Sequence, residues 1–266
     1  MTSIASCTPS KPALVLNTSE SRVQLVLGTR ERLLYAQQLE IQARAMQVLP
    51  PAVQACMHEL GLRPGMLDRV AVVRGPGTFT GVRVGISFGL GLARGGHVPL
   101  TGIDYLPVLA RDLIRLVHGT VWVCTHARQN LVNVQPFPAP RGQALASAKC
   151  LTREQAVEEI QSSMDKIFIL GSGVRRDPDW WHSRLSGVNV MDPRWDHPRV
   201  ETLLQAAWET PYTQDYIMPA YLRPTDAELH LERIARERGV DPMLVQKIIP
   251  EFEASAEHSG KSPSKE

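Results

Sequence analysis

Short apolar runs alternate with polar breaks from the start of the sequence. Ala13 to Leu16, Val23 to Leu27 and Leu33 to Ala36 are separated by Thr-Ser-Glu-Ser and Thr-Arg-Glu, which predicts a three-stranded meander. From Glu40 to Leu60 the period changes. Ile41, Ala45, Val48, Leu49, Val53, Cys56, Met57 and Leu60 recur at helical spacing, Pro50-Pro51 is expected to kink or divide the helix, and Gly61 ends it. Val70 to Val73 suits a strand buried on both faces, a second helix runs to Gly95-Gly96, and Val98 to Gly102 reads as another short strand. Asp104 is placed to cap a helix reaching Val117, with Leu106, Leu109, Ala110, Leu113 and Leu116 on one face. A second cycle follows. Strands are expected at Val121 to Thr125, Leu131 to Phe137, Ala146 to Leu151, Lys166 to Leu170 and Val188 to Met191. Helices are expected from the Thr152/Gln155 capping box and over His197 to Trp208, and a charged helix over Thr225 to Arg238. The similar order of the two halves suggests a duplicated α/β unit.

The segment RGPGTFTGVRVGISFGLGLARGG, Arg74 to Gly96, carries the most information. A strand feeding a glycine-rich turn and a helix is how proteins cradle phosphates. Here no lysine lies between Lys11 and Lys149, and the spacing of Gly75, Gly77 and Gly81 fits neither nucleotide-loop pattern. The helix offers a better clue. Gly81, Gly85 and Gly89 recur at spacing four, although each glycine inside a helix costs about 1 kcal/mol relative to alanine. Such a row permits close approach by another element, either in the chain's own core or at a partner interface, with Val82, Ile86, Leu90 and Ala93 supplying apolar area. Arg83, Ser87 and Arg94 align on the far side, as on a solvated face.

Composition narrows the classes. The chain has 266 residues, and its 29 basic against 27 acidic side chains give a net charge of +2, too small for a whole-protein field to argue for nucleic-acid binding. Cys7, Cys56, Cys124 and Cys150 are too widely spaced for a zinc or redox pair, and the histidines include no pair four apart. Separate reduced thiols, no metal and no cofactor are expected. The amino terminus lacks a basic start followed by an apolar run, and no stretch approaches the roughly 20 apolar residues of a membrane span, so a cytoplasmic chain is expected. Trp180-Trp181 and Trp195, among Asp177, Asp179 and Asp192, read as surface-loop anchors. Arg233, Arg236 and Arg238 interleave with Glu228, Glu232 and Glu237, the pattern of a solvated helix and not of an RNA-binding stretch.

The motif Gly75-Pro76-Gly77-Thr78-Phe79-Thr80-Gly81-Val82-Arg83-Val84-Gly85, followed by Gly91-Leu92-Ala93, resembles the hallmark GPGSFTGxRxGxxxxxGLA of the TsaB (YeaZ) family. The likeness continues through Pro99 to Ile103 and Leu106, Ala127-Arg128 with Val132, and Tyr221-Leu222-Arg223, spanning residues 13 to 223. It implies an α/β actin-like ATPase fold of two related lobes, the second reduced. It also implies a non-catalytic subunit that heterodimerises with the catalytic TsaD. With the ATPase TsaE, that complex makes threonylcarbamoyladenosine beside the anticodon of tRNAs reading codons that begin with A. Contact with tRNA is then indirect or weak, and a homodimer is possible for the chain alone.

The implied partner surface is the helix Glu40 to Leu60, with Val48, Val53 and Met57, and the helix Thr80 to Gly95, with Gly81, Val82, Gly85, Ile86, Gly89, Leu90 and Ala93. On this reading the chain divides into a flexible start, 1–12, lobes over 13–104 and 105–223, a helical extension, 224–250, and a disordered tail, 251–266. Two positions depart from the family pattern: Asn17 stands where an aspartate is usual in the first turn, and His126 replaces the aspartate before Ala127-Arg128. Asparagine lacks the charge that holds a metal or phosphate-bound water, so Asn17 is expected to serve as a turn residue and His126 as a strand-end residue. The alternatives are an active ATPase or kinase of the same fold, which needs an acid in that first turn, where Asn17 fails, and a glycine-rich adenosine loop in the second half, for which Gly171-Ser172-Gly173 is the candidate, and a metallopeptidase, which needs paired histidines.

Overall fold

The computed structural model describes residues 10–41, 44–213 and 216–223. The expected helix from Thr225, the tail and the first nine residues lie outside the described residues. In the first sheet β1 (Ala13–Asn17), β2 (Arg22–Gly28) and β3 (Leu33–Glu40) form the antiparallel meander, and β4 (Arg69–Gly75) and β5 (Leu100–Asp104) add in parallel, in the order β3-β2-β1-β4-β5. Pattern and position agree. Central β1, ALVLN, is buried on both faces, whereas β3 alternates toward solvent as the polar edge strand.

The second sheet repeats the order. β6 (Gly119–Arg128), β7 (Leu131–Ala139) and β8 (Lys149–Thr152) are antiparallel, and β9 (Ile167–Leu170) and β10 (Asn189–Val190) follow in parallel, giving β8-β7-β6-β9-β10. Its last three strands in chain order are short, whereas β6 and β7 are longer than β1 and β2.

Helices form the remaining layers. α1 (Ala45–Glu59) and α2 (Phe79–Gly96) cover the outer face of the first sheet, and α4 (Arg153–Gln161) and α5 (Pro178–Arg184) cover that of the second. Between the sheets lie α3 (Tyr105–Ile114) and α6 (Val200–Glu209), which share one core with Val15, Val73, Val123, Phe137 and Leu170 from both lobes. α3 buries Tyr105, Leu106, Val108, Leu109, Ala110, Leu113 and Ile114, so it is apolar on nearly every side.

Several expectations change. α1 is one helix containing Pro50 and Pro51, not a divided one; the prolines lie on its exposed side, where the carbonyls that lose N–H partners face water. It also starts later than expected, because β3 continues to Glu40. Asp104 does not cap α3 with its side chain; its carboxylate pairs with Arg74 at 2.7 Å. That helix stops at Ile114, which leaves Leu116 exposed. Trp180 and Trp181 lie on α5 and not in a loop, and Trp181 is fully buried with its Nε1 donating to the Gly173 carbonyl at 3.1 Å. The Thr152/Gln155 capping box is complete.

Leu109→Ala should remove about 2–5 kcal/mol of stability, because Leu109 lies in the layer shared by both sheets. Met46→Ala, on the exposed side of α1, should change it by less than about 0.5 kcal/mol. Urea unfolding of both variants checks this contrast.

Candidate functional site

Two features meet at the carboxyl end of β1: a polar cleft between the lobes and the start of α2. The β1–β2 turn is shaped by Asn17, whose Oδ1 accepts from Ser19 N at 3.1 Å while its Nδ2 donates to Gln24 at 2.8 Å. Asn17 is therefore a turn former, with both ends of its amide engaged. The motif loop closes onto this turn. Thr78 N donates to the Ser19 carbonyl at 2.7 Å, and Thr18 Oγ1 donates to the Gly81 carbonyl at 2.7 Å. A Cβ on Gly77 would collide with the Ser19 carbonyl, and one on Gly81 with the Thr18 carbonyl. The glycines of this motif thus let the loop and α2 lie directly on the β1–β2 turn.

The same reasoning places the glycine row of α2. An added Cβ at Gly85 would strike Thr18 Oγ1, and one at Gly89 would strike Val72 Cγ1. Gly81, Gly85 and Gly89 therefore face the chain's own sheet, which corrects the expectation that they open a surface to a partner. Val53, Met57, Val82, Ile86 and Ala93 are buried in that same outer-layer core, while Val48 and Leu90 are half-buried. A different row looks outward. Ser87, Gly91 and Gly95 also recur at spacing four, all are exposed, and a Cβ on either glycine would meet nothing within 4 Å. This row was equally visible in the sequence, but only burial separates the two.

Beside it, Arg83 lies 3.6 Å from the centre of the Phe79 ring, and its Nε donates to Tyr221 Oη at 2.7 Å. The hallmark and the distant Tyr-Leu-Arg motif are therefore in contact. Gly95-Gly96 does mark the end of α2, yet the left-handed residue is His97, with φ 52°; Gly96 instead permits close approach to Pro64.

In the cleft, Glu20 receives hydrogen bonds from Tyr105 Oη at 2.8 Å and from Ser172 Oγ. Burial pushes the Glu20 carboxyl up from its ordinary 4.5 to about 7, and repulsion from Asp196 and Glu40 adds to this, against the two hydrogen bonds. Asp196 is held by Gly171 N at 2.9 Å and by Arg175 at 2.6 Å. His126 contributes its backbone N–H to Ser172 Oγ at 3.0 Å; burial and then Arg176 hold its ring below the usual histidine range. No local sequence pattern pointed to Glu20, whose partner Ser172 is 152 residues away. Among the described residues no group of three or more histidine, cysteine, aspartate or glutamate side chains is placed to hold a metal ion, and no helix is long and apolar enough to cross a membrane.

Comparison with known proteins decides the family. The chain is 38% identical over 186 residues to the tRNA threonylcarbamoyladenosine biosynthesis protein TsaB of Escherichia coli, covering 66% of this chain and 80% of that relative. The chain belongs to the TsaB family. The Haemophilus influenzae TsaB is 26% identical over 191 residues, 68% of this chain and 80% of that protein. A family model for TsaD, tRNA N6-adenosine threonylcarbamoyltransferase, matches residues 40–136. A crystal structure of a Pseudomonas aeruginosa protein with similarity to the peptidase YEAZ superposes with a TM-score of 0.64 at 25% identity, covering 80% of this chain and 100% of that one. With its duplicated strand order in two mixed α/β sheets, this TsaB-family chain belongs to tRNA threonylcarbamoyladenosine biosynthesis.

Because Glu20 binds its proton more tightly folded than unfolded, its contribution to stability is fully present below about pH 4.5 and is lost as pH rises through about 7. The stability of the wild type minus that of Glu20→Gln should fall across this window and stay level above it. Taking the difference cancels the opposing slope from His126 and His197, whose titration is lowered mainly by burial. Urea unfolding at a series of pH values reads it directly; a level difference would contradict the assignment.

Proposed function

We propose that this chain is a non-catalytic scaffold of the complex that forms N6-threonylcarbamoyladenosine beside the anticodon of tRNAs reading codons that begin with A. It acts in the cytoplasm by heterodimerising with the catalytic TsaD subunit. TsaE joins the larger complex, and tRNA is contacted only indirectly or weakly. The observation that carries this reading is the outward row Ser87, Gly91 and Gly95 on α2. Gly91, in the interior of α2, costs about 1 kcal/mol, and the space above it is empty within the chain, so nothing internal offsets that cost; Gly95, at the helix end, leaves the row open there. A helix from a partner seated on the row would offset it through close packing.

The partner surface is then the outer side of α1 and α2. Exposed Met46 lies on α1, half-buried Val48 and Leu90 lie at the margins, and Val53, Met57, Gly81, Val82, Gly85, Ile86, Gly89 and Ala93 support it from beneath. Without TsaD the same face is available to a second copy of the chain. A non-catalytic role is supported by Asn17, which brings no charge to the first turn and whose amide is spent on Ser19 and Gln24.

Two glycine variants separate surface from core. Gly91→Leu should gain about 0.5–1 kcal/mol of stability, because it removes an interior helical glycine into open space, yet weaken association with TsaD by about tenfold or more, with tRNA modification falling in step. Gly85→Leu should lose about 1–3 kcal/mol or more through overpacking against Thr18. Light scattering of mixtures with TsaD, together with a reconstituted modification assay, reads these outcomes. Unchanged association of Gly91→Leu would overturn the surface, and ATP turnover by this chain alone would overturn the scaffold role.

A further inference from the structure

One carboxylate spans the cleft between the lobes. Glu20 stands in the β1–β2 turn of the first lobe, and its Oε1 accepts from Ser172 Oγ in the turn after β9 of the second. Its Oε2 accepts from Tyr105 Oη at 2.8 Å, at the start of the central helix α3. Ser172 is fixed toward Glu20, and for Tyr105 Oη the other acceptor in reach, the Asp196 carbonyl at 3.5 Å, is the longer one. Ser172 Oγ already accepts from His126 N at 3.0 Å, which leaves its single proton for Glu20. Tyr105 is fully buried.

Both turns are themselves held in place. Gly171 N donates to Asp196 Oδ1 at 2.9 Å, and Arg175 grips the same carboxylate through Nε at 2.6 Å and a second nitrogen at 2.9 Å. Gly171 has φ +111°, and a side chain on Gly171 or Gly173 would run into Cys124, so the turn is pressed against β6. On the first lobe, Asn17 and Thr78 fix the Ser19 backbone immediately before Glu20. The link between the two lobes at this point is therefore a carboxylate between rigid supports.

We infer that Glu20 is an interlobe latch, holding the β1–β2 turn of the first lobe against the Gly171–Gly173 turn of the second so that the cleft is closed by the chain itself. The apolar layer of α3 and α6 joins the lobes permanently, because separating it would expose a continuous core. The contact at Glu20, with the Gln24 Nε2–Pro198 carbonyl bond at 2.8 Å near it, consists of hydrogen bonds, so this polar edge is where the lobes part when they part. Burial against the neighbouring carboxylate of Asp196 raises the cost of keeping Glu20 charged, which makes the latch releasable.

Amide hydrogen exchange on the full chain tests the latch, using Glu20→Ala, Ser172→Ala and Glu20→Gln. The two alanine variants should speed exchange in both segments, 17–21 and 171–174, by about tenfold or more, with the amides of α3 unchanged and an increased radius of gyration in small-angle scattering. Glu20→Gln retains an oxygen that accepts from Ser172 and should stay within about threefold of wild type. Unchanged exchange at both turns in the alanine variants would overturn the latch, as would acceleration spread equally through α3. Added ATP slowing exchange at both turns of the wild type would also overturn it, since the cleft would then be open to a nucleotide.

Discussion

Everything in this molecule is arranged around the apolar layer that α3 and α6 form between two sheets. Helix α3 buries seven of its ten residues and touches strands of both lobes. A helix with so little polar surface is stable only when covered on opposite sides, and the two sheets provide that cover. Each sheet then has one free face, and each free face takes a further pair of helices. The five layers follow from that one requirement, and the cleft is the edge at which the two sheets stand opposed beyond the central layer.

The outer layer of the first lobe shows how one helix serves two purposes. α2 must lie close to β1 and β4, and Gly81, Gly85 and Gly89 remove the side chains that would prevent it. On its other side Ser87, Gly91 and Gly95 leave the backbone bare. Both rows follow the same arithmetic of four residues to slightly more than a turn, offset around the helix axis. The first explains how the lobe packs, and the second leaves bare backbone between the exposed side chains of Arg83 and Arg94.

The cleft is polar where the central layer is apolar, and its chemistry is that of fixation. Asn17 spends its amide on local geometry, Asp196 is saturated by Arg175 and Gly171, and Glu20 is shared by a serine and a tyrosine. These groups stand where the two lobes meet, yet each is satisfied by the chain itself. The first turn carries an amide and no carboxylate at position 17, and the carboxylates of Glu20 and Asp196 are hydrogen-bonded within the chain.

Much of the architecture was legible in the residues because it rests on local periodicity. The meander, the capping box at Thr152 and Gln155, the strand before Gly75 and the repetition of the two halves all follow from spacing that a short window contains. Spacing also located the glycine-rich helix, but it could not say which side faced inward, since both rows have the same period. Burial against Thr18 and Val72 settled that, and it reversed the first assignment. The uninterrupted passage of α1 through Pro50 and Pro51 was likewise decided by where the freed carbonyls faced. Glu20 was beyond the sequence altogether. A carboxyl becomes a link between lobes only when the fold brings together residues 152 positions apart and removes the water between them, and no pattern along the chain encodes a distance through space.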